Sequence, residues 1–323
     1  MQNFPKVSIA MAIYKPNTIW LLQQLASLNN QDYKGEMELL VWNDSPEYQE
    51  AEQILQQCIT NFSFQLLSDG QNHGATGAFA QLTEAAQGKY IAYCDQDDIW
   101  LPEKISKAVA VMEQHSSCCI CHVGMNLINA QGEMFQQMPY PDTMAVINSP
   151  SYQQQNFILR NFAFGCAMLV NTDFAKSVLP FPGHGVYHDQ WLACCGAYQG
   201  QVIFLADKLL LHRIHDSNTS AVLQGITQKK DYYQKKLPRD TELVRALQAK
   251  FSPVTNEILT DIGAWIKSRN AYSKTKSWQN LQGILRGMSL RRDITIFETL
   301  LPFIPEQIFS IIIMLRKNKS RKD

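Results

Sequence analysis

Three carboxylates fall within four residues, at Asp95, Asp97 and Asp98. Left together they repel one another, and a divalent cation or solvent must offset the cost. Hard oxygen donors favour Mg²⁺ or Mn²⁺ over Zn²⁺, and Mg²⁺ commonly completes its shell with phosphates and water. A further acid, Asp189 in His188-Asp189-Gln190-Trp191, stands at the start of an expected helix. There a carboxylate either caps the helix or accepts a proton from a reacting group. A third cluster, His212-Arg213-Ile214-His215 followed by Asn218-Thr219-Ser220, offers imidazole and guanidinium groups. It reads either as a partner for phosphates and a metal or as a surface loop. Cys118-Cys119-Ile120-Cys121-His122 lacks the paired spacing of a zinc site and reads as a buried strand.

The elements around these residues alternate. Val7–Tyr14, Met37–Trp42, Phe64–Leu67 and Tyr90–Cys94 are short apolar runs that read as buried strands. Between them lie helical patterns: one capped by Asn17 or Thr18 and running to about Asn29, one over Tyr48–Thr60, and a small-residue helix over Ala75–Gln87. Strand and helix in alternation predict an α/β domain with a parallel sheet, in which ligands bind at the carboxyl ends of the strands. Asn43-Asp44 and Asp95–Asp98 both fall at such ends. Farther on, Ile120–Leu127, Ala167–Val170 and Val202–Leu205 read as strands and Asp189–Tyr198 as a helix. Residues Gln131–Gln155 read as loop. After about Ala221 the strands stop, and 229–323 reads as helical with breaks near Pro253, Pro302 and Pro305.

The chain has 323 residues, 46% of them hydrophobic and 18% charged, with a formal net charge of zero. That balance excludes a collagen-like, rod-like or disordered chain and a strongly basic nucleic-acid binder. The zero conceals a segregation. Residues 1–261 hold 17 Lys/Arg and 25 Asp/Glu, whereas 262–323 hold 12 and 4. The eight cysteines show no disulfide spacing, Met1 to Val7 has no signal-peptide core, and no apolar run reaches about 18 residues. These features predict free thiols in a cytoplasmic protein.

The motifs carry a resemblance. Asp95-Gln96-Asp97-Asp98-Ile99-Trp100, followed by Leu101-Pro102-Glu103-Lys104, resembles the donor-site motif of family 2 glycosyltransferases with the GT-A fold, and most of all their bacterial rhamnosyltransferase-like members. Val7-Ser8-Ile9, Gln31-Asp32-Tyr33, Val41-Trp42-Asn43-Asp44-Ser45 and Asn72–Gly77 fit the same pattern, as do the segments at His188, at Asn161–Cys166 near the family's acceptor pocket, and at His212. The resemblance spans about residues 5–220. It implies a GT-A-like, Rossmann-like, mostly parallel sheet flanked by helices over 1–220, with a helical C-terminal appendage over 221–323. It implies nucleotide-sugar contacts from Asp44, Asp97, Asp95 and Arg213, a Mg²⁺ or Mn²⁺ ion held by Asp98 with Asp97 and His215, and Asp189 as catalytic base. Asn43 stands where the family often has an acid, and His212 where it usually has Tyr. The implied reaction is inverting, metal-dependent transfer of a sugar from a nucleoside-diphosphate donor. dTDP-L-rhamnose is the first expected donor and a UDP-hexose the second. The expected acceptor is a cell-surface polysaccharide or lipopolysaccharide precursor, either a glycan or a lipid-linked glycan. A sugar nucleotidyltransferase, or a non-catalytic glycan-binding scaffold, is the alternative.

Ile308–Leu315 is nearly all apolar, and Arg316, Lys317, Lys319, Arg321 and Lys322 follow. The run is too short to span a bilayer. It suits either the inner face of the cytoplasmic membrane, with the basic residues on anionic headgroups, or the face of a dimer.

Overall fold

The inner strands carry unbroken or nearly unbroken buried runs, the mark of strands covered on both faces. They are β1 (Val7–Ile13), β2 (Met37–Asn43) and β4 (Tyr90–Cys94), with β3 (Ser63–Leu67) more exposed at the sheet edge. In the computed structural model, which describes residues 4–215, 225–252 and 256–319, these four pair in parallel in the order β3-β2-β1-β4. The helices between them are α1 (Thr18–Asn29), α2 (Ala51–Cys58) and α3 (Gly74–Ala85). Asn17 caps α1, its side chain accepting from the backbone N–H groups of Ile19 and Trp20.

Beyond β4 the sheet becomes mixed. The remaining elements in chain order are β5 (Ile99–Trp100), α4 (Lys104–Gln114), β6 (Cys118–Ile128), β7 (Met134–Gln137), α5 (Met144–Ile147), α6 (Pro150–Leu159), β8 (Met168–Asn171), α7 (Thr172–Ser177), α8 (His188–Gln199) and β9 (Gln201–Arg213). The path continues β4-β8-β6-β9-β5, with β7 pairing off β6. β8 is antiparallel to both β4 and β6, while β6 and β9 run parallel. The stretch expected as loop over Gln131–Gln155 therefore holds β7, α5 and the start of α6. β7 is mostly exposed and carries no apolar alternation, so nothing in its residues announces a strand. β9 is far longer than Val202–Leu205. Its polar Asp207-Lys208 reads as a break, yet the pairing of β6 with β9 continues across it through shifts of register.

The described residues fall into two compact units. The first comprises Met1–Gln153, Asn161–Phe181 and Tyr187–His215; the second comprises Gln154–Arg160, Pro182–Val186 and Asp216–Asp323. The expected boundary at 220/221, the segment Asn218-Thr219-Ser220, Pro253, and the basic residues Arg321 and Lys322 lie outside the described residues. Among the described residues no helix is long and apolar enough to cross a membrane, and all eight cysteines are free thiols.

The second unit is helical. A short helix α9 (Lys229–Asp231) runs through a π-helical turn (Tyr232–Lys236) into α10 (Leu237–Lys250), followed by α11 (Glu257–Lys274), α12 (Trp278–Leu285), α13 (Arg292–Leu300) and α14 (Glu306–Lys319). One of its apolar clusters gathers Ile226, Tyr232, Leu237, Leu301, Phe309 and Ile313. Beside it lies a buried ionic group. Arg269 donates to Glu298 at 2.6 and 2.8 Å and to Asp240 at 3.0 Å, and the Tyr232 hydroxyl donates to Glu298 at 2.6 Å. Removing one partner of such a group strands the opposite charge in a medium that cannot solvate it. Arg269→Met is therefore expected to cost about 3–5 kcal/mol, read as a lowered urea midpoint in the unfolding of the whole chain. A midpoint equal to that of the parent protein would show that the group contributes nothing.

Candidate functional site

The parallel strands deliver their carboxyl ends to one rim. Ile13 is paired with Asn43 across β1 and β2, and Met11 with Cys94 across β1 and β4, so Asp44 and Asp95 emerge on the same edge, one to either side of β1. The rim is tied together by side chains. The Gln96 amide brackets Tyr14, accepting from its N–H at 2.8 Å and donating to its carbonyl at 3.0 Å. Asp44 Oδ1 accepts from the His73 N–H at 2.7 Å, which joins the end of β2 to the start of α3. Asn43 serves the loop itself: its Oδ1 accepts from the Ser45 N–H and its Nδ2 donates to the Tyr48 carbonyl.

The short strand β5 does the decisive positioning. It follows Asp98 directly and pairs antiparallel with β9, Ile99 opposite Leu211 and Trp100 opposite Leu210. That register brings the acids before β5 against the residues at the end of β9. Two Asp–His pairs result. The inner one is buried: Asp98 Oδ1 contacts His212 Nδ1 at 2.9 Å and accepts from the Arg213 N–H at 3.0 Å. The outer one, Asp97 Oδ2 with His215 Nε2 at 2.7 Å, keeps about a tenth of each side chain in solvent. His215 also lies on the Trp20 ring, with centroids 4.6 Å apart. His212 and Arg213, read above as a surface loop or a phosphate partner, thus sit on a strand and are buried. The Arg213 guanidinium donates to the carbonyls of Asp97, Asn129 and Ala130 and to Gln23. In this arrangement it braces the site from behind.

Sequence reasoning placed Asp98, Asp97 and His215 around one ion. The structure instead groups ligand atoms of Asp95, Asp98, Cys166 and His212 within 4.8 Å of one another, with Asp97 and His215 forming their own pair. Cys166 was not singled out as a site residue, and its Sγ lies 3.9 Å from His212 Nδ1. Lys104 was missed as well. It is buried, with Nζ 3.2 Å from the centroid of the Trp100 ring. A signal existed: Lys104 shares the buried face of α4 with Ile105, Ala108, Val109 and Met112, where a lysine is out of place.

The electrostatics follow from burial and crowding. Burial and the charges of Asp98 and Asp97, with a contribution from Asp189, raise the Asp95 carboxyl to about 8. Burial would also raise Asp98, but the charge and hydrogen bond of His212 outweigh it and hold Asp98 below its ordinary value. For His212 burial acts downward, yet Asp98 prevails and carries the imidazole up to about 9. Burial lowers Lys104 to about 8. Cationic His212 and Lys104 therefore already offset the innermost acid, and the outer pair is the one that faces solvent.

Asp189 sits in the first turn of α8 after Tyr187, the residue at the helix N-cap. It does not act as the N-cap itself. Its Oδ1 accepts from the Gln190 N–H at 2.6 Å and from Asn161 Nδ2 at 3.1 Å, and its Oδ2 accepts from the Gly165 N–H at 3.3 Å. Glycine is required at 165, because a Cβ there would stand 2.7 Å from His188 Nε2 and 3.4 Å from Asp189 Cβ. His188 cannot retreat: it is buried with its ring 4.2 Å from that of Phe79, and burial holds it neutral at about 3. Beyond Asn161 opens a cavity of about 250 Å³ whose wall includes Met125, Met138, Tyr140, Phe162 and Phe164.

These shifts set a pH dependence. His212 stands above its ordinary 6.5 in the folded chain, so its contribution is full below 6.5 and is lost as pH rises through about 9. Asp95, raised from 3.8 to about 8, disfavours the folded state increasingly over that interval. His122 and His188, both lowered to about 3 by burial, remove stability as pH falls below 6.5. Lys104 and Lys236, lowered to about 8, act in the same sense as these two histidines but only above that value. The Tm is expected to be highest near pH 6.5 and to decline towards pH 8, as scanning fluorimetry across that range would record. A Tm that climbs from pH 6.5 to 8 would contradict the assigned charges.

Comparison with known proteins supplies context for this geometry. Residues 8–179, more than half of the chain, match the family model described as Glycosyl transferase family 2. The chain spans about half the length, or less, of the first curated relatives it matches. One relative is the putative colanic acid biosynthesis glycosyl transferase WcaA of Escherichia coli, 28% identical over 168 residues that make up 50% of this chain and 55% of that one. Among solved structures, S. aureus TarS in complex with UDP-GlcNAc superposes with a TM-score of 0.59 at 15% identity, covering 91% of this chain and 81% of that one. The mannosyltransferase PcManGT of Pyrobaculum calidifontis, in complex with GDP-Man and Mn²⁺, gives a TM-score of 0.51 at 12% identity, covering 97% and 80%. At such identities the two structures speak to the fold, which is the GT-A fold.

Proposed function

The chain belongs to glycosyl transferase family 2, and on that footing we propose that it transfers a sugar from a nucleoside-diphosphate donor to a hydroxyl of a polysaccharide precursor, with inversion at the anomeric carbon. The observation that carries this reading is the convergence on one sheet rim of Asp44, the Asp97–His215 pair and Asp189, whose charge reaches Asp95. Asp44, held by the start of α3, is suited to the nucleoside. Asp97 and His215 offer a carboxylate and an imidazole at the solvent edge, of which the carboxylate is the ligand that suits Mn²⁺ or Mg²⁺. Asp98 and Asp95 stand behind them. The ion, when bound, offsets the charge of the departing diphosphate.

Asp189 performs the proton step. Asn161, Gly165 and Gln190 fix its carboxylate, so one oxygen is presented in a constant direction to an acceptor hydroxyl. That oxygen takes the hydroxyl proton as the acceptor attacks the anomeric carbon from the face opposite the diphosphate, and a single displacement inverts the centre. The apolar and aromatic cavity beyond Asn161 suits the C–H faces of an acceptor sugar. Polysaccharide synthesis as the setting draws on the colanic acid relative. L-Rhamnose from dTDP-L-rhamnose remains the first donor in this proposal and a UDP-hexose the second.

The test is a thermal-shift screen of dTDP-, UDP- and GDP-sugars with and without Mn²⁺, because a ligand that binds only the folded chain raises its Tm. A donor selected there is then followed for nucleoside-diphosphate release on addition of glycan acceptors. Stabilisation by one donor in the presence of Mn²⁺, with release that depends on acceptor, is the expected result. Release of pyrophosphate instead would identify a nucleotidyltransferase, and no donor-dependent shift at all would favour a scaffold.

A further inference from the structure

Helix α14 carries two apolar faces, and the second unit covers one of them. Phe309 and Ile313, one turn apart, are buried in the cluster with Tyr232, Leu237 and Leu301. Ile308, Ile311, Ile312 and Leu315 recur at the i, i+3, i+4, i+7 spacing that makes a stripe along a helix. That stripe faces outward: Ile308 is 49% exposed, Ile311 51% and Leu315 58%, with Ile312 partly so. Phe303, just before the helix, is 75% exposed. A surface helix normally turns polar residues to solvent, and four branched aliphatic residues in that position mark a face that something covers.

The charge pattern says what covers it. From Gln307 to Lys322 there is no acidic residue, and Arg316, Lys317, Lys319, Arg321 and Lys322 lie beyond the stripe in sequence. Residues 262–323 together hold 12 Lys/Arg against 4 Asp/Glu. A twofold contact that set the helices parallel would press two such basic runs together, and an antiparallel one would offer them only Glu306 of this helix. A bilayer rich in anionic lipid answers both features. An acyl boundary suits the aliphatic stripe, and anionic headgroups suit a sequence this rich in lysine and arginine.

We propose that α14 docks the second unit on an anionic lipid surface through Ile308, Ile311, Ile312 and Leu315, the net positive charge of the sequence that follows supplying the preference for anionic lipid. The inference concerns this surface only and stands or falls separately from the transfer reaction. The test is co-sedimentation of the full chain with phosphatidylcholine vesicles containing about 30 mol % phosphatidylglycerol, and with pure phosphatidylcholine vesicles. The anionic vesicles are expected to pull the chain down at low salt and to release much of it at high salt. Ile308→Ser/Ile311→Ser/Leu315→Ser, at exposed positions, should lower the partition coefficient by about tenfold or more with an unchanged Tm. Arg316→Gln/Lys317→Gln/Lys319→Gln should abolish the preference for anionic over neutral lipid. The proposal is overturned if the parent chain stays in the supernatant, if neutral vesicles bind it equally well, or if the triple Ser variant binds as the parent does. A dimer that the Ser variant dissociates, with no vesicle binding by the parent, would assign the face to self-association instead.

Discussion

Asp189→Asn is expected to slow sugar transfer by about 10²–10⁴-fold, the contribution typical of a positioned base, while donor affinity stays as it is. The substitution suits the test because the pocket can accept it. The new amide oxygen can still accept from Gly165 or Gln190, as Asp189 does. Its NH₂ group would meet Asn161, whose Oδ1 is buried and without a partner and so can turn to accept it. What is lost is the ability to take a proton, together with the negative charge and one backbone N–H contact. Single-turnover rates with saturating donor and acceptor, alongside donor titration, separate the two effects. Turnover equal to the parent's would remove Asp189 from the mechanism, and a matching loss of donor binding would place it in the nucleotide site.

Asp97→Asn and Asp98→Ala are expected to fail in different ways although the residues are neighbours. Asp98→Ala strands the His212 imidazolium in a buried site and removes the acceptor for the Arg213 N–H, a loss of about 3–5 kcal/mol that denaturation would show directly. Asp97→Asn acts on the outer pair and relieves part of the charge that bears on Asp95. It should leave the Tm near the parent value and abolish the extra stabilisation that Mn²⁺ gives to a donor complex. If Asp98→Asn instead folds normally and loses that stabilisation while Asp97→Asn keeps it, the ion belongs to Asp98 and not to the outer pair.

The parallel half of the sheet was legible because β1, β2 and β4 are apolar runs bounded by polar clusters and separated by helical patterns. The cap of α1 followed from Asn17, whereas α8 is capped at Tyr187 and not at Asp189. β5 has two residues and no pattern to read. β9 was cut short because Asp207 and Lys208 interrupt its apolar run, and that error left a surface loop open as one reading of His212 and Arg213. The consequence was local but important: a strand buries what a loop would expose, so Arg213 faces backbone carbonyls and His212 faces Asp98. The individual site residues were visible from their types. Their pairing was not, because it depends on the register between β5 and β9, two segments more than a hundred residues apart.

That separation bears on synthesis at the ribosome. A nascent chain that has emerged only as far as α8 contains the parallel strands and every acid of the motif, but neither histidine. Because the residues that neutralise and orient Asp97 and Asp98 arrive with the last strand of this unit, contacts of such long sequence separation should form late and slowly. Until then the newborn polypeptide would hold its carboxylates unmatched and have little hold on nucleotide. Competence would come as a single event when that final strand slides into place, so fragments released early by a stalled or broken message would be inert.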